Sequence, residues 1–184
     1  MRSLLAALLV ICNAAAVPSL AHGQTAPQGM RGKSIVVAWR EQRNQRRGNQ
    51  KDFHDVTAPL SRTIYISTAG RPFSRFTGTL GSSTGSAENV GASGTSYGGG
   101  PREVRFDGRT MTLTSTTKGG LARRTTIEFN ESFTNCQAQV VFAKQAGRDV
   151  VVGRSLVTGQ PMEIRSVTVT GVTCSIRAGN VFAH

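Results

Sequence analysis

Two adjoining stretches concentrate the side chains that could do chemistry. The first is Arg40-Glu41-Gln42-Arg43-Asn44-Gln45-Arg46-Arg47-Gly48-Asn49-Gln50-Lys51, with five positive charges against one negative and no apolar side chain. Cations at this density attract phosphate, sulfate or carboxylate groups through long-range electrostatics. The second follows at once: Asp52-Phe53-His54-Asp55 sets a histidine among carboxylates. A carboxylate held close to an imidazole raises its pKa and readies it for acid–base work. Neighbouring residues on a strand point to opposite faces, however, so His54 converges with Asp52 or Asp55 only if the backbone turns there.

Other motifs fail on context. Gly81-Ser82-Ser83-Thr84-Gly85 and Gly94-Thr95-Ser96-Tyr97-Gly98 both fit G-x-S-x-G. That motif works by exposing a serine on a strained strand-to-helix turn, and no helical pattern follows either copy. Ser115-Thr116-Thr117-Lys118 fits S-x-x-K without the companion elements of that enzyme class. Asn130-Glu131-Ser132 fits the N-glycosylation pattern. No glycine loop suited to phosphate is present, three histidines and two well-separated cysteines do not form a zinc pattern, and no cofactor is implied.

The cysteines acquire meaning from the N-terminus. Met1-Arg2-Ser3 precedes an apolar run from Leu4 to Val17, and Pro18-Ser19-Leu20-Ala21-His22-Gly23 offers small residues at a cut after Ala21 or Gly23. This is the layout of a secretory signal peptide over residues 1–23, and the run is too short for a comfortable membrane span. Cleavage removes Cys12 and leaves Cys136 and Cys174, an even pair expected to join in an oxidising compartment. Cleavage also removes Arg2, leaving 21 basic against 10 acidic residues. Anionic partners outside the cytoplasm include lipopolysaccharide, acidic glycans and extracellular nucleic acid.

The elements that must position these residues read as strands. Residues 24–33 form a polar lead-in expected to be disordered, and residues 34–184 a single domain. Ile35, Val37 and Trp39 share one face of the first strand. Trp39, the sole tryptophan, is expected to anchor the core, and as a binding residue it would stack at the edge of the contact made by the basic run. The basic run itself has nothing to bury, so it is expected to be an exposed loop or a hairpin tip near Gly48-Asn49.

Residues 81–100 hold seven glycines and five serines, too little apolar surface to order a backbone, and are expected to form a long flexible loop. Asp107-Gly108 between alternating runs predicts a type I′ hairpin. Ile127 and Phe129, then Cys136, Ala138, Val140 and Phe142, face inward on two further strands. In the last strand the apolar phase slips from Val167 and Val169 to Val172, Cys174 and Ile176, which predicts a β-bulge near Gly171.

No stretch holds a helical period. Eight or more short strands with frequent turns indicate an all-β, antiparallel sandwich or small barrel. An outer-membrane barrel fits poorly, because aromatic residues are only 6 % of the chain and cannot supply two interfacial girdles. Three readings of function follow. The favoured one is a non-catalytic, periplasmic or secreted binding domain that takes an anionic envelope polymer or glycan on Arg40, Arg43, Arg46, Arg47 and Lys51, with Trp39 beside them. The others are a hydrolase built on His54, and an assembly subunit that pairs through exposed strand edges.

Overall fold

A computed structural model describes residues 25–181 except 49, 81–82, 91–92, 96–100, 117–120, 145–146 and 155–159. The expected signal peptide lies outside the described residues. A three-residue 3-10 turn, Gln28–Met30, leads into eleven strands. These are β1 (Lys33–Arg47), β2 (His54–Ile66), β3 (Pro72–Leu80), β4 (Ser83–Val90), β5 (Ser93–Thr95), β6 (Pro101–Asp107), β7 (Thr110–Thr116), β8 (Leu121–Phe129), β9 (Cys136–Lys144), β10 (Val151–Arg154) and β11 (Pro161–Ala178). They form two antiparallel sheets, ordered β10-β11-β1-β2-β3-β4 and β5-β6-β7-β8-β9, and no closed barrel is seen. The result is a β-sandwich.

Alternation builds its interior. On β1 the residues Ile35, Val37 and Trp39 are buried, on β2 Leu60, Ile64 and Ile66, on β7 Met111 and Leu113, and on β8 Ile127 and Phe129. These belong to one apolar cluster shared by both sheets. A smaller cluster of Leu121, Val151, Met162 and Ile164 fills the far end, with Phe142 and Val167 packed against it. The first and last long strands pair, so β1 lies between β2, which pairs with it as far as Gln45, and β11, which pairs with it as far as Arg47.

Cys136 and Cys174 are joined, with their Cα atoms 5.6 Å apart. Cys136 opens β9 in one sheet and Cys174 lies opposite Val37 in the other, so the bond ties the two sheets together. A disulfide fits an oxidising compartment.

The predicted bulge is present. Ala38 pairs with Thr173 and Arg40 with Thr170, so β11 spends one extra residue there, and Gly171 sits at φ +61°. No heavy atom lies within 4 Å of a Cβ built on Gly171, so Gly171→Ala meets only the left-handed backbone penalty. That substitution is expected to lower stability by about 1–2 kcal/mol, with Gly171→Asn less affected. Urea midpoints for the two variants check this, and an unchanged midpoint for the alanine variant would contradict a strained bulge.

Four expectations are corrected. Of the two expectations for the basic run, the hairpin end between Arg47 and His54 is found and the exposed loop is not: residues 40–47 continue β1 as a strand, because β2 (as far as Gln45) and β11 satisfy its backbone and its inward polar side chains find partners. The lead-in is not disordered from Ala26 onward. Ala26 and Met30 are buried, Ala26 N–H donates to Gly70 O, and Gly29 lies so close to the Phe133 ring that a Cβ would fall 2.3 Å from it.

Within residues 81–100, Ser83–Val90 pair with β3 and Ser93–Thr95 with β6, since a neighbouring strand offers the backbone a ladder that needs no apolar side chains. Residues 81–82, 91–92 and 96–100 of that expected loop lie outside the described residues. Finally, Asp107 pairs with Thr110, which moves the hairpin turn to Gly108-Arg109. Gly108 has φ +54° and Arg109 is not among the positive-φ residues, so the turn is not type I′ and matches type II′.

Candidate functional site

The continuation of β1 divides the basic run between two faces. Glu41, Arg43, Gln45 and Arg47 point between the sheets, and Arg40, Gln42, Asn44 and Arg46 point outward. The six candidate residues therefore do not make one patch.

The inward set builds a buried ionic network. Glu41 is fully buried, and its Oε1 accepts from Trp39 Nε1 at 2.8 Å and from Arg123 Nη2 at 3.1 Å. Its Oε2 accepts from Arg43 through Nε at 2.7 Å and through Nη2. Arg123, on β8 of the opposite sheet, places its guanidinium 4.4 Å from the Phe76 ring centre and 4.6 Å from that of Phe142. Trp39 stacks on Phe76 with centroids 5.7 Å apart.

Burial alone would push the Glu41 carboxyl up. The charges of Arg123 and Arg43, with the hydrogen bonds from Trp39 and Arg43, overcome it and hold the group below the ordinary carboxylate range. Burial likewise lowers the pKa of Arg123, against the pull of Glu41. Arg43 and Trp39 are thus structural: Trp39 is 2 % exposed, which withdraws it from any surface ligand.

The outward set gathers at the end of the β1–β2 hairpin. Arg46 stacks on Phe53 at 4.8 Å, and Arg165 approaches the same ring at 4.1 Å. Arg46 donates through Nε to Glu163 Oε2 at 2.7 Å and through Nη1 to the Lys51 main-chain oxygen at 3.2 Å. Lys51 is exposed beside them. Arg165 reaches this place because β11 bulges a second time: Asn44 pairs with Ser166 and Gln45 with Ile164, which leaves Arg165 unopposed. Bulges commonly re-aim a side chain in this way.

Lys144 Nζ donates to the main-chain oxygens of Asp149 and Arg165, each at 3.0 Å, and braces the bulge from β9. The cluster is a set of cationic heads on apolar stems around one phenyl ring. Such a surface can engage phosphate, sulfate or carboxylate groups at its heads.

Of the predicted binding residues, the structure brings together Arg46 and Lys51. Arg47 shares the hairpin end but points inward, with its N–H donating to Gln50 Oε1. Arg40 is exposed on the outer face, six residues along β1 and roughly 20 Å from Arg46 at the usual rise per residue. Sequence reasoning missed Phe53 and Arg165 as partners. An aromatic residue immediately after a basic run was the available signal for Phe53, whereas Arg165 is brought in only by the pairing of β1 with β11.

His54 is exposed at the start of β2, and no described hydrogen bond or ion pair joins it to Asp52 or Asp55. Asp55 instead accepts from Asn44 Nδ2 at 2.9 Å. No group of three His, Cys, Asp or Glu among the described residues could hold a metal ion.

A depression of about 280 Å³ is lined by Glu128, Phe129, Asn130, Asn135, Cys136 and Gln137. Of its two asparagines, Asn135 accepts through Oδ1 from the Cys136 N–H, and Asn130 is already spent: its Oδ1 accepts from the N–H groups of Thr134 and Asn135, and its Nδ2 donates to Ser132 and Thr134. The same bonds occupy the amide of the glycosylation pattern.

β9 is an edge strand of nine residues, but the disulfide at Cys136 and the bonds of Lys144 hold both its ends against the other sheet. Among the described residues, no helix is long and apolar enough to cross a membrane.

Fold and cluster together describe a disulfide-clamped β-sandwich with a basic–aromatic surface at one hairpin end. The chain matches no protein-family model, and no curated protein or solved structure is significantly similar to it.

Proposed function

We propose that this is an exported, non-catalytic binding domain that holds an anionic partner of the cell envelope or its surroundings at the tip of the β1–β2 hairpin. The observation that carries the reading is the ring of Phe53 flanked by Arg46 and Arg165, with Lys51 exposed beside it. The ring holds the two guanidinium groups in place, so less side-chain entropy is lost when they meet a ligand. The excess of basic residues, 21 against 10 acidic once the leader is removed, favours the encounter. Export rests on the N-terminal leader pattern and agrees with the disulfide.

The test is binding of a soluble sulfated oligosaccharide and of polyphosphate at several salt concentrations. Replacing Arg46, Lys51 and Arg165 together by Gln is expected to weaken binding more than tenfold and to flatten the log–log salt dependence by about two units. Arg40→Gln is expected to leave affinity within about twofold. Unchanged binding by the triple variant would dispose of the proposal.

A further inference from the structure

We infer that the partner of the hairpin-tip cluster is the headgroup layer of an anionic lipid surface; this deepens the anion-binding reading above and rests on it. The additional observation is Val152, 46 % exposed, which is one of two large hydrophobic side chains among the described residues to be so exposed. The other, Val141, lies on the second sheet.

Val152 pairs with Glu163, and Glu163 with Arg46, so the three form one outward row across β10, β11 and β1. Cross-strand neighbours in such a row stand about 5 Å apart. The row therefore runs from an exposed apolar side chain at the sheet's edge to the cation cluster around Phe53.

Against the cations Arg46, Lys51 and Arg165 stand the carboxylates of Glu163 and Asp52, and Glu163 is already paired with Arg46. A flexible hydrophilic polyanion would satisfy the cations and leave Val152 in water. A lipid surface satisfies both: phosphates meet the guanidinium and ammonium groups, and the edge strand sets Val152 towards the boundary with the acyl chains. This is the division of labour of peripheral membrane contacts, where apolar burial and attraction to anionic lipids act together.

The experiment is flotation of the full chain with vesicles of phosphatidylcholine alone and with about 30 % phosphatidylglycerol, alongside binding to soluble polyphosphate. Partitioning is expected to be at least tenfold stronger to the anionic vesicles, since each cation near such a surface contributes about fivefold. Val152→Ser is expected to reduce vesicle partitioning about threefold to fivefold and to leave polyphosphate binding unchanged.

Equal partitioning to both vesicle types overturns the lipid assignment, and so does a Val152→Ser variant that partitions like the parent. A parent chain that binds polyphosphate but neither vesicle type removes the lipid assignment alone. A parent chain that binds neither polyphosphate nor vesicles removes the anion-binding reading with it.

Discussion

Replacing Glu41 by Gln is expected to lower the free energy of unfolding by about 3–5 kcal/mol. The carboxylate is fully buried and pairs with both Arg43 and Arg123 within the interior. Glutamine keeps the shape and one carbonyl oxygen but leaves two guanidinium groups, 14 % and 15 % exposed, without a countercharge. Removing one member of a buried pair exposes the full desolvation penalty of the remainder, although the intact pair itself adds little over apolar packing. Glu41→Gln combined with Arg123→Met should therefore recover part of the loss. A single variant within about 1 kcal/mol of the parent would show that the network contributes nothing in particular.

The same network predicts an acid limit. Glu41 has its folded-state pKa depressed below the unfolded value, so its stabilising contribution is complete above the unfolded pKa of about 4.3 and fades as pH falls through the folded value. Denaturant midpoints should drop below about pH 4, and the Glu41→Gln variant should lack that part of the drop.

Breaking the disulfide is the second large effect. Cys136 and Cys174 are 38 residues apart, and on the chain-entropy model closing that loop contributes roughly 4 kcal/mol. The bond also joins two sheets that are otherwise held by side-chain packing and a few polar contacts such as Arg123–Glu41 and Lys144–Arg165, so its loss should loosen the sandwich as a whole rather than one hairpin. Replacing both cysteines by Ala is expected to lower the urea midpoint by an amount matching about 3–5 kcal/mol. Reduction of the parent with a thiol should reproduce it. A parent protein whose midpoint does not respond to reductant would contradict the clamp.

Both effects are large fractions of the 5–15 kcal/mol typical of a domain. The disulfide and the alternation that defines the two sheets were legible in the sequence, as was the bulge at Gly171, because each leaves a local trace: a cysteine pair, a period of two, a slip in phase beside a glycine. The strand over residues 40–47 left none. Glu41, Arg43 and Gln45 occupy inward positions that a hydrophobic pattern would fill with Val or Ile, and the side chain that makes this tolerable, Arg123, is 82 residues away from Glu41.

Met30 and Gly29 were misread for a similar reason, since the Phe133 turn that covers them belongs to the other sheet. The candidate site was legible in part. Composition pointed to the hairpin, but only the pleat separates Arg46 from Arg43, and only the second bulge of β11 delivers Arg165.

The localisation of binding is what the functional account stands on, and residue-resolved NMR reads it most directly. On titration with a short polyphosphate, shifts are predicted to concentrate at Arg46, Lys51, Phe53 and Arg165, while Arg40, Arg124 and Arg177 stay within noise. Shifts of similar size at every exposed arginine, or none at the hairpin tip, would contradict it.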